Sequence, residues 1–163
     1  MNIDLVPIGI VKNNITDLKR EDRQTVVSEI IINDDLKQAL DQIERFSHII
    51  VIYWMHKTSQ PQRSITKVHP RGDQDLPLVG IFGTRSPART NPIGIATVKL
   101  LEHRGNVLKV RGLDAVNGTP VLDIKPHIPG SDSPGGAKTP EWLTTNTLCK
   151  HLSLSPIEDT EHL

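Results

Sequence analysis

The hydrophobic residues of this chain recur mainly with the two-residue period of β-strands. Residues 6–11 and 26–32 are rich in β-branched side chains, and residues 48–54 form a nearly continuous apolar run that we expect to be buried on both faces. Short strands separated by turns at this spacing predict an all-β fold, a closed or nearly closed barrel. The remaining strands are predicted at residues 78–82, 93–101, 106–111 and 120–124.

One segment departs from the strand pattern. Asp34 and Asp35 are favourable N-cap residues, and the apolar side chains at positions 36, 40, 43 and 46 fall near one helical face. This spacing predicts one helix at about residues 35–46, packed on the barrel. Residues 1–130 are therefore expected to form the barrel domain. Residues 131–163 are expected to form a poorly ordered tail that includes a short segment at about 142–152.

The composition narrows the class of protein without identifying it. A chain of 163 residues usually makes one domain. Cys149 is the single cysteine, which excludes an internal disulfide and a zinc cage and favours a reducing cytoplasm. The sequence shows neither a membrane-spanning run nor a signal peptide. Because no membrane-spanning run is present, no membrane association is expected. The seven histidines have no metal-binding spacing, so no metal is expected either.

The charge is balanced overall but distributed unevenly. Nineteen Lys and Arg residues oppose nineteen Asp and Glu residues. The net charge is −2 over residues 1–60, +5 over residues 61–130 and −3 over residues 131–163. Because nucleic-acid binding depends on Lys and Arg, the basic middle region allows a nucleic-acid partner that the zero net charge alone argues against.

Two long runs carry the most specific information. Residues 80–95 are GIFGTRSPARTNPIGI and residues 113–127 are LDAVNGTPVLDIKPH. Together with WMH at 54–56 and HPRG at 69–72, they resemble the TsaA-like (YaeB-like) family, whose characterised members are TrmO-type tRNA methyltransferases. The resemblance covers about residues 5–130. It implies a barrel-like S-adenosylmethionine enzyme, generally a homodimer, that methylates the exocyclic nitrogen of threonylcarbamoyladenosine beside the tRNA anticodon.

The resemblance also implies which residues contact the cofactor. Arg85 suits the carboxylate of S-adenosylmethionine, and Asp114 suits its ribose hydroxyls or its ammonium group. Met55 and Ile95 would cover the adenine. The alternatives are an ion pair at the barrel mouth for Arg85, a turn cap for Asp114 and core packing for the apolar pair. The full set of implied contacts is Gln24, Thr25, Val26, Met55, His56, Arg85, Ile95, Arg111, Gly112, Leu113 and Asp114.

Methyl transfer to a nitrogen conjugated with a ring and a carbamoyl group requires alignment and a group that takes or stabilises its proton. His56 and Asp123 are the candidate bases. The alternatives are a satisfied core histidine and an ion pair with a nearby arginine. Arg71, Arg89 and Lys125 are assigned to tRNA phosphates or to the threonyl carboxylate, although these cations would also suit a solvated face.

The few aromatic residues limit the mode of RNA recognition. Four of the five, Phe46, Tyr53, Trp54 and Phe82, fall in the predicted helix or strands, and Trp142 lies in the tail. Binding of the anticodon loop is therefore expected to depend on backbone charge and on one pocket for a flipped base, without extensive stacking. A second hypothesis keeps the barrel but makes it a non-catalytic module that binds S-adenosylmethionine or RNA.

Overall fold

The chain forms eight β-strands within residues 3–16 and 25–144, which are the residues that this computed structural model describes. Six of the strands close into an antiparallel barrel, and the other two form a separate ribbon. The predicted all-β barrel is confirmed. In chain order, the strands are β1 (Gly9–Lys12), β2 (Val27–Ile32), β3 (His48–Trp54), β4 (Lys67–Val68), β5 (Val79–Gly80), β6 (Ile93–Arg104), β7 (Val107–Arg111) and β8 (Pro120–Pro126). The barrel order is β1-β2-β7-β6-β3-β8.

The two-residue period places alternate side chains inside the barrel. On β3, Ile49, Val51 and Tyr53 are buried in the core, whereas the residues between them are only half-buried. The prediction that this strand is buried on both faces is therefore wrong, because its second face is the outer wall of the barrel. Each fully buried Val, Leu or Ile stabilises the fold by roughly 1.5–3 kcal/mol.

Residues 35–46 do not form the single helix that their spacing predicts. The segment consists of two 3₁₀ helices, Asp34–Leu40 and Ile43–Arg45, separated where Gln42 takes the left-handed conformation with φ 69°. Leu36, Leu40 and Ile43 nevertheless pack against the core, as an amphipathic face requires. Over so short a segment, the same apolar spacing fits a period of 3.0 as well as 3.6 residues.

The connection from β3 to β6 is more structured than a loop. It contains the short helix α1 (Gln60–Arg63), the β4–β5 ribbon, and 3₁₀ turns at Pro70–Gly72 and Ile81–Gly83. The strand predicted at residues 78–82 is therefore shorter than expected. Phe82 lies beyond its end, in the second turn, and its side chain is 85% exposed.

Two short helices follow the barrel, α2 (Pro129–Asp132) and α3 (Glu141–Thr144). Residues 133–140 between them are exposed. The boundary at residue 130 stays a prediction, and most of the segment predicted at 142–152 lies outside the described residues. Among the residues that the structure describes, no helix is long and apolar enough to cross a membrane.

The Tyr53 ring requires a glycine on the neighbouring strand. Gly94 pairs with Tyr53, and a Cβ at position 94 would lie 2.4 Å from two carbons of the tyrosine ring. Gly94→Ala should therefore destabilise the protein by about 1–3 kcal/mol, the range for overpacked cores, measured by urea unfolding. Gly80→Ala is the matched control, because a Cβ there meets nothing within 4 Å. Equal stability of the two variants would contradict this packing.

Candidate active site

One end of the barrel collects the chain segments that carry the predicted site. β1, β3 and β7 end there and β2, β6 and β8 begin there, as the pairs Val27–Arg111 and Trp54–Ile93 show. Segments far apart in the sequence thereby become neighbours. We call this end the rim and define it as residues 13–16, 25–26, 55–57, 81–92 and 112–119.

Backbone and lysine hydrogen bonds join the segments of the rim to one another. The Gly112 N–H donates to the Val26 carbonyl at 2.9 Å, which ties the β7–β8 connection to the start of β2. The Met55 N–H donates to the Pro92 carbonyl at 2.7 Å. The Lys57 ammonium donates to the Thr16 carbonyl at 2.7 Å, so the segments after β1 and β3 are also linked.

Two polar side chains fix the segment between β7 and β8. The Tyr53 hydroxyl donates to the Asp114 carbonyl at 2.7 Å. The Asn13 amide donates to the Ala115 carbonyl at 2.9 Å and to the Ser28 hydroxyl at 2.9 Å. Gly112 adopts φ 90°, a conformation that disfavours any side chain. The backbone around Asp114 is therefore held from the barrel interior.

The turn of residues 81–89 is organised around Arg89. Its Nε donates to the Ser86 carbonyl at 2.8 Å, and its Nη2 donates to the carbonyls of Ile81 and Thr84. Arg85, in contrast, is exposed and makes no hydrogen bond or ion pair with the described part of the chain. Arg89 therefore stabilises the turn through hydrogen bonds, whereas the Arg85 side chain is exposed on it.

Comparison with known proteins identifies the family. A family model described as the tRNA-methyltransferase O N-terminal domain matches residues 17–133. The chain belongs to this family. The predicted family is confirmed, and with it the class of S-adenosylmethionine-dependent tRNA adenine-N6 methyltransferases.

Individual relatives agree with this assignment. The S-adenosyl-L-methionine-binding protein of Archaeoglobus fulgidus is 46% identical over 132 residues, which is 78% of this chain and 91% of the relative. The human tRNA (adenine(37)-N6)-methyltransferase is 36% identical over 104 residues, 64% of this chain but 23% of the human protein. The crystal structure of TrmO from Pseudomonas aeruginosa has a TM-score of 0.68 at 26% identity. It is matched over 85% of this chain and 62% of its own length, so this chain spans about three fifths of that protein.

The chemical groups present at the rim fit S-adenosylmethionine. The rim presents a guanidinium for a carboxylate, a half-buried carboxylate at Asp114 for hydroxyl or ammonium groups, and the half-buried apolar side chain of Met55. Gly112 lies beside them with a positive φ, which a glycine adopts without strain. Arg85 and His56 are both exposed and so are accessible to a ligand.

Two implied cofactor contacts, Leu113 and Ile95, lie differently from what their residue types suggest. The Leu113 side chain is fully buried in the barrel core, so only its backbone can face a ligand. Ile95 points to the outer face of β6, beside Ile52 of β3, and is 52% exposed. Gln24 lies outside the described residues. Thr25 and Val26 directly precede β2, and Arg111 ends β7, where it pairs with Val27.

Asp123 lies on the outer wall, not among the rim segments. It pairs with Ile52 on β3, and its carboxylate contacts the Lys125 ammonium at 2.8 Å. The ion pair that was an alternative for Asp123 is therefore present, with a lysine as the partner. Its Oδ1 also accepts the Ile124 N–H at 2.8 Å. These contacts hold both of the side chains that were assigned separate roles.

Arg89 and Tyr53 have structural roles that their positions in the sequence do not indicate. Arg89 was assigned to RNA, but its guanidinium binds carbonyls of its own turn. Tyr53 positions Asp114 from inside the barrel, although the two residues are 61 positions apart. The spacing of residues along the chain cannot reveal such a contact, because it depends on the register of β3 against β6 and β8. Arg71, the third cation, is exposed on the Pro70–Gly72 turn with φ 61°.

An open depression of about 490 Å³ adjoins the rim on the side of β1, β2 and β7. Its lining includes Val27, next to the implied contact Val26, but none of residues 55, 56, 85 or 95. The depression therefore lies beside the implied cofactor contacts and is lined by none of them. The residues that line the depression are Lys12, Asn13, Asn14, Val27, Ser28, Glu29, Lys109 and Asn117.

At the opposite end of the barrel, Glu44 has a lowered pKa. A backbone hydrogen bond of Glu44 and the His103 side chain, 3.1 Å away, hold the pKa of this carboxyl below its usual range.

The two arginines of the turn should respond differently to truncation. Arg89→Ala removes donors to three backbone carbonyls and should lower the free energy of unfolding by about 2 kcal/mol. Arg85→Ala should change it by less than about 0.5 kcal/mol, because an exposed side chain without partners contributes little. Urea unfolding of both variants measures the difference. A stability loss that is equal in the two variants would contradict these roles.

Proposed function

We propose that this chain is an S-adenosylmethionine-dependent tRNA methyltransferase that methylates the exocyclic nitrogen of threonylcarbamoyladenosine next to the anticodon. The observation that carries the proposal is that barrel closure gathers, at one rim, the segments that the family resemblance assigns to the cofactor. The name of the human relative specifies N6 of adenine 37, which supports the acceptor atom. The threonylcarbamoyl group rests on the resemblance alone.

The rim residues have distinct roles in this proposal. S-adenosylmethionine supplies an electrophilic methyl group on a sulfonium when it is bound. Arg85 would hold its carboxylate through charge-assisted hydrogen bonds. Asp114, whose backbone is fixed by Tyr53, accepts hydrogen bonds from the ribose or the ammonium group. Met55 covers the adenine. Because the chemistry is an in-line displacement, the residues act mainly by alignment.

Of the two candidate bases, His56 is the one that the rim presents. Its side chain is exposed directly after β3, where an RNA ligand can reach it. With S-adenosylmethionine and tRNA bound, the His56 imidazole would take the proton that the acceptor nitrogen loses. Asp123 is a weaker candidate because Lys125 and its own strand hold it on the outer wall. Arg71, which is exposed on its turn, and Lys125, which is exposed beside Asp123, are assigned to tRNA phosphates.

We further propose a cytoplasmic homodimer. An apolar stripe runs along the outer face of β3 and β6, comprising Ile93 and Ile95, which are 37% and 52% exposed, and the half-buried Ile50, Ile52 and Trp54. A contiguous apolar patch on a barrel wall is typical of a subunit interface. Because Ile95 lies in this stripe and is also an implied cofactor contact, the interface would adjoin the cofactor site.

A second function is favoured by a specific comparison. The Archaeoglobus fulgidus relative, matched over 91% of its length, is named a binding protein and not a methyltransferase. A non-catalytic module would use the same rim to bind S-adenosylmethionine without transferring its methyl group.

Methyl transfer to threonylcarbamoyl-modified tRNA separates the two functions. We expect S-adenosylmethionine to raise the melting temperature of the protein, because a ligand that binds only the folded state stabilises it. We also expect mass spectrometry of digested tRNA to show a methylated threonylcarbamoyladenosine. The same tRNA without the threonylcarbamoyl group is the control and should remain unmethylated. Stabilisation without methylation of either tRNA would favour the binding module.

Arg85→Ala tests the cofactor site itself. Loss of the carboxylate contact should weaken S-adenosylmethionine binding about ten- to a hundredfold in calorimetric titration, since charge-assisted hydrogen bonds contribute roughly 1.5–3 kcal/mol. Arg45→Ala removes an exposed arginine at the opposite end of the barrel and serves as the control. Wild-type affinity in the Arg85 variant would remove this residue from the site.

Ile95→Glu tests the dimer. A carboxylate in the apolar stripe should convert the wild-type dimer to a monomer in multi-angle light scattering, because it would be buried without a partner. Ile10→Glu is the matched control, since Ile10 is 46% exposed on β1, which neighbours neither β3 nor β6 in the barrel. A wild-type monomer, or a dimer that survives Ile95→Glu, would contradict the proposed interface.

A further inference from the structure

Phe82 stands out from the surface of the molecule. Its side chain is 85% exposed, more than any other large apolar side chain that the structure describes. It occupies the centre of the 3₁₀ turn Ile81–Gly83, immediately after the β4–β5 ribbon. The neighbouring Ile81 is buried, with 5% of its surface exposed, so the turn is anchored on one side and exposes the aromatic ring on the other.

The turn that carries Phe82 is internally fixed. The Ile81 N–H donates to the Thr66 carbonyl at 2.9 Å, and the Thr84 N–H and hydroxyl both donate to the Ile81 carbonyl. The guanidinium of Arg89 also donates a hydrogen bond to this carbonyl. A ring held on such a turn loses little conformational freedom when it contacts a ligand, which favours its use in binding.

The surroundings of Phe82 are cationic. Residues 60–92 contain five Lys and Arg residues against two Asp residues. Lys67, which pairs with Gly80 across the ribbon, and Arg85, three positions after Phe82, are both exposed. Neither of these cations forms an ion pair with any residue that the structure describes. An exposed ring flanked by unpaired cations matches an unpaired nucleotide, which offers a base face and a phosphate together.

The turn also adjoins the rim residues assigned to the reaction. The Thr58 hydroxyl donates to the Pro87 carbonyl at 3.5 Å, and the Met55 N–H donates to the Pro92 carbonyl at 2.7 Å. These contacts place the segment containing Phe82 and Arg85 against the segment containing Met55 and His56. A nucleotide held at Phe82 would therefore belong to the same RNA loop as the nucleotide that reacts.

We propose that Phe82 is a stacking platform for an unpaired base that flanks the methylated adenosine, with Lys67 holding an adjacent phosphate. This inference rests on the proposed tRNA methyltransferase function and deepens it. It adds one stacked base to the expectation that the anticodon loop binds without extensive stacking, an expectation that placed Phe82 within a strand. The cationic surroundings disfavour a second copy of this chain as the occupant, because interface cores are depleted of charge.

The test measures binding of a fluorescein-labelled, threonylcarbamoyl-modified anticodon stem-loop RNA by fluorescence anisotropy. Phe82→Ala should weaken RNA binding roughly 5- to 150-fold, the range for one lost aromatic–base stack of about 1–3 kcal/mol. Phe82→Trp should retain the affinity, whereas Phe82→Leu should lose most of it. Calorimetric titration should give an unchanged affinity for S-adenosylmethionine in all three variants. Phe46→Ala, at a 40% exposed aromatic residue remote from the rim, is the control.

Salt titration separates stacking from charge. Lys67→Ala should reduce the slope of log affinity against log salt by about 0.7–0.9, corresponding to one phosphate contact. Phe82→Ala should leave the slope unchanged, because the lost contact carries no charge. Stem-loops with single abasic positions identify the stacked base, since the effect of Phe82→Ala should vanish on one of them.

Several outcomes would overturn the proposal. Wild-type RNA affinity in Phe82→Leu would show a general apolar contact in place of stacking. A changed mass of Phe82→Ala in light scattering would assign the ring to contact between copies, and weaker S-adenosylmethionine binding would assign it to the cofactor. If the wild type methylates tRNA and Phe82→Ala binds RNA normally, only this inference fails. If the wild type binds RNA through Phe82 without methylating it, only the proposed function fails.

Discussion

The short pairing of β1 with β8 is the interaction on which the site depends, because it closes the barrel. It joins Gly9 to Val121 and Ile10 to Pro120. Gly9 also packs closely against its other neighbour, since a Cβ there would lie 2.4 Å from the Ile31 carbonyl oxygen of β2. Closure satisfies the backbone groups that an open sheet would leave at its edges. It also brings the segment after β1 to the segment before β8, and so completes the rim.

Some side chains at the rim hold its loops in place, and others are exposed to solvent. Tyr53, Asn13 and Arg89 bind backbone carbonyls and hold the loops in place. Other side chains, such as Arg85, His56 and Phe82, are exposed and bind no backbone carbonyl among the described residues. A rigid frame with uncommitted side chains on its outer side is what alignment of two large substrates requires.

The openness of the rim has a consequence for the proposed chemistry. The depression beside it is open and is lined mainly by polar side chains. Methyl transfer proceeds best where water is excluded. In the proposed enzyme, the bound tRNA and the second subunit would therefore have to cover the reacting groups. The apolar stripe at Ile93 and Ile95 and the exposed ring of Phe82 are the surfaces available for such contacts.

The strands were predictable because inward-facing and outward-facing side chains alternate with a period of two residues. For β3, the predicted bounds and the observed bounds are both His48–Trp54. Other features depended on longer-range geometry. Leu36, Leu40 and Ile43 pack on the core from two 3₁₀ helices, and their spacing fits an α-helix as well, so it could not distinguish the two helix types. Likewise, the residue types of Arg85 and Arg89 are identical, and only the fold of their turn assigns one inward and the other outward.

The sequence by itself determined the family and the all-β class and indicated the segments proposed for the site, because local periodicity and specific motifs carry that information. The tertiary structure alone decided which of those side chains are available. Strand register placed Asp123 beside Lys125 on the outer wall and Tyr53 behind Asp114. The early end of β5 at Gly80 left Phe82 exposed. These outcomes depend on pairing between residues distant along the chain, and no local pattern encodes it.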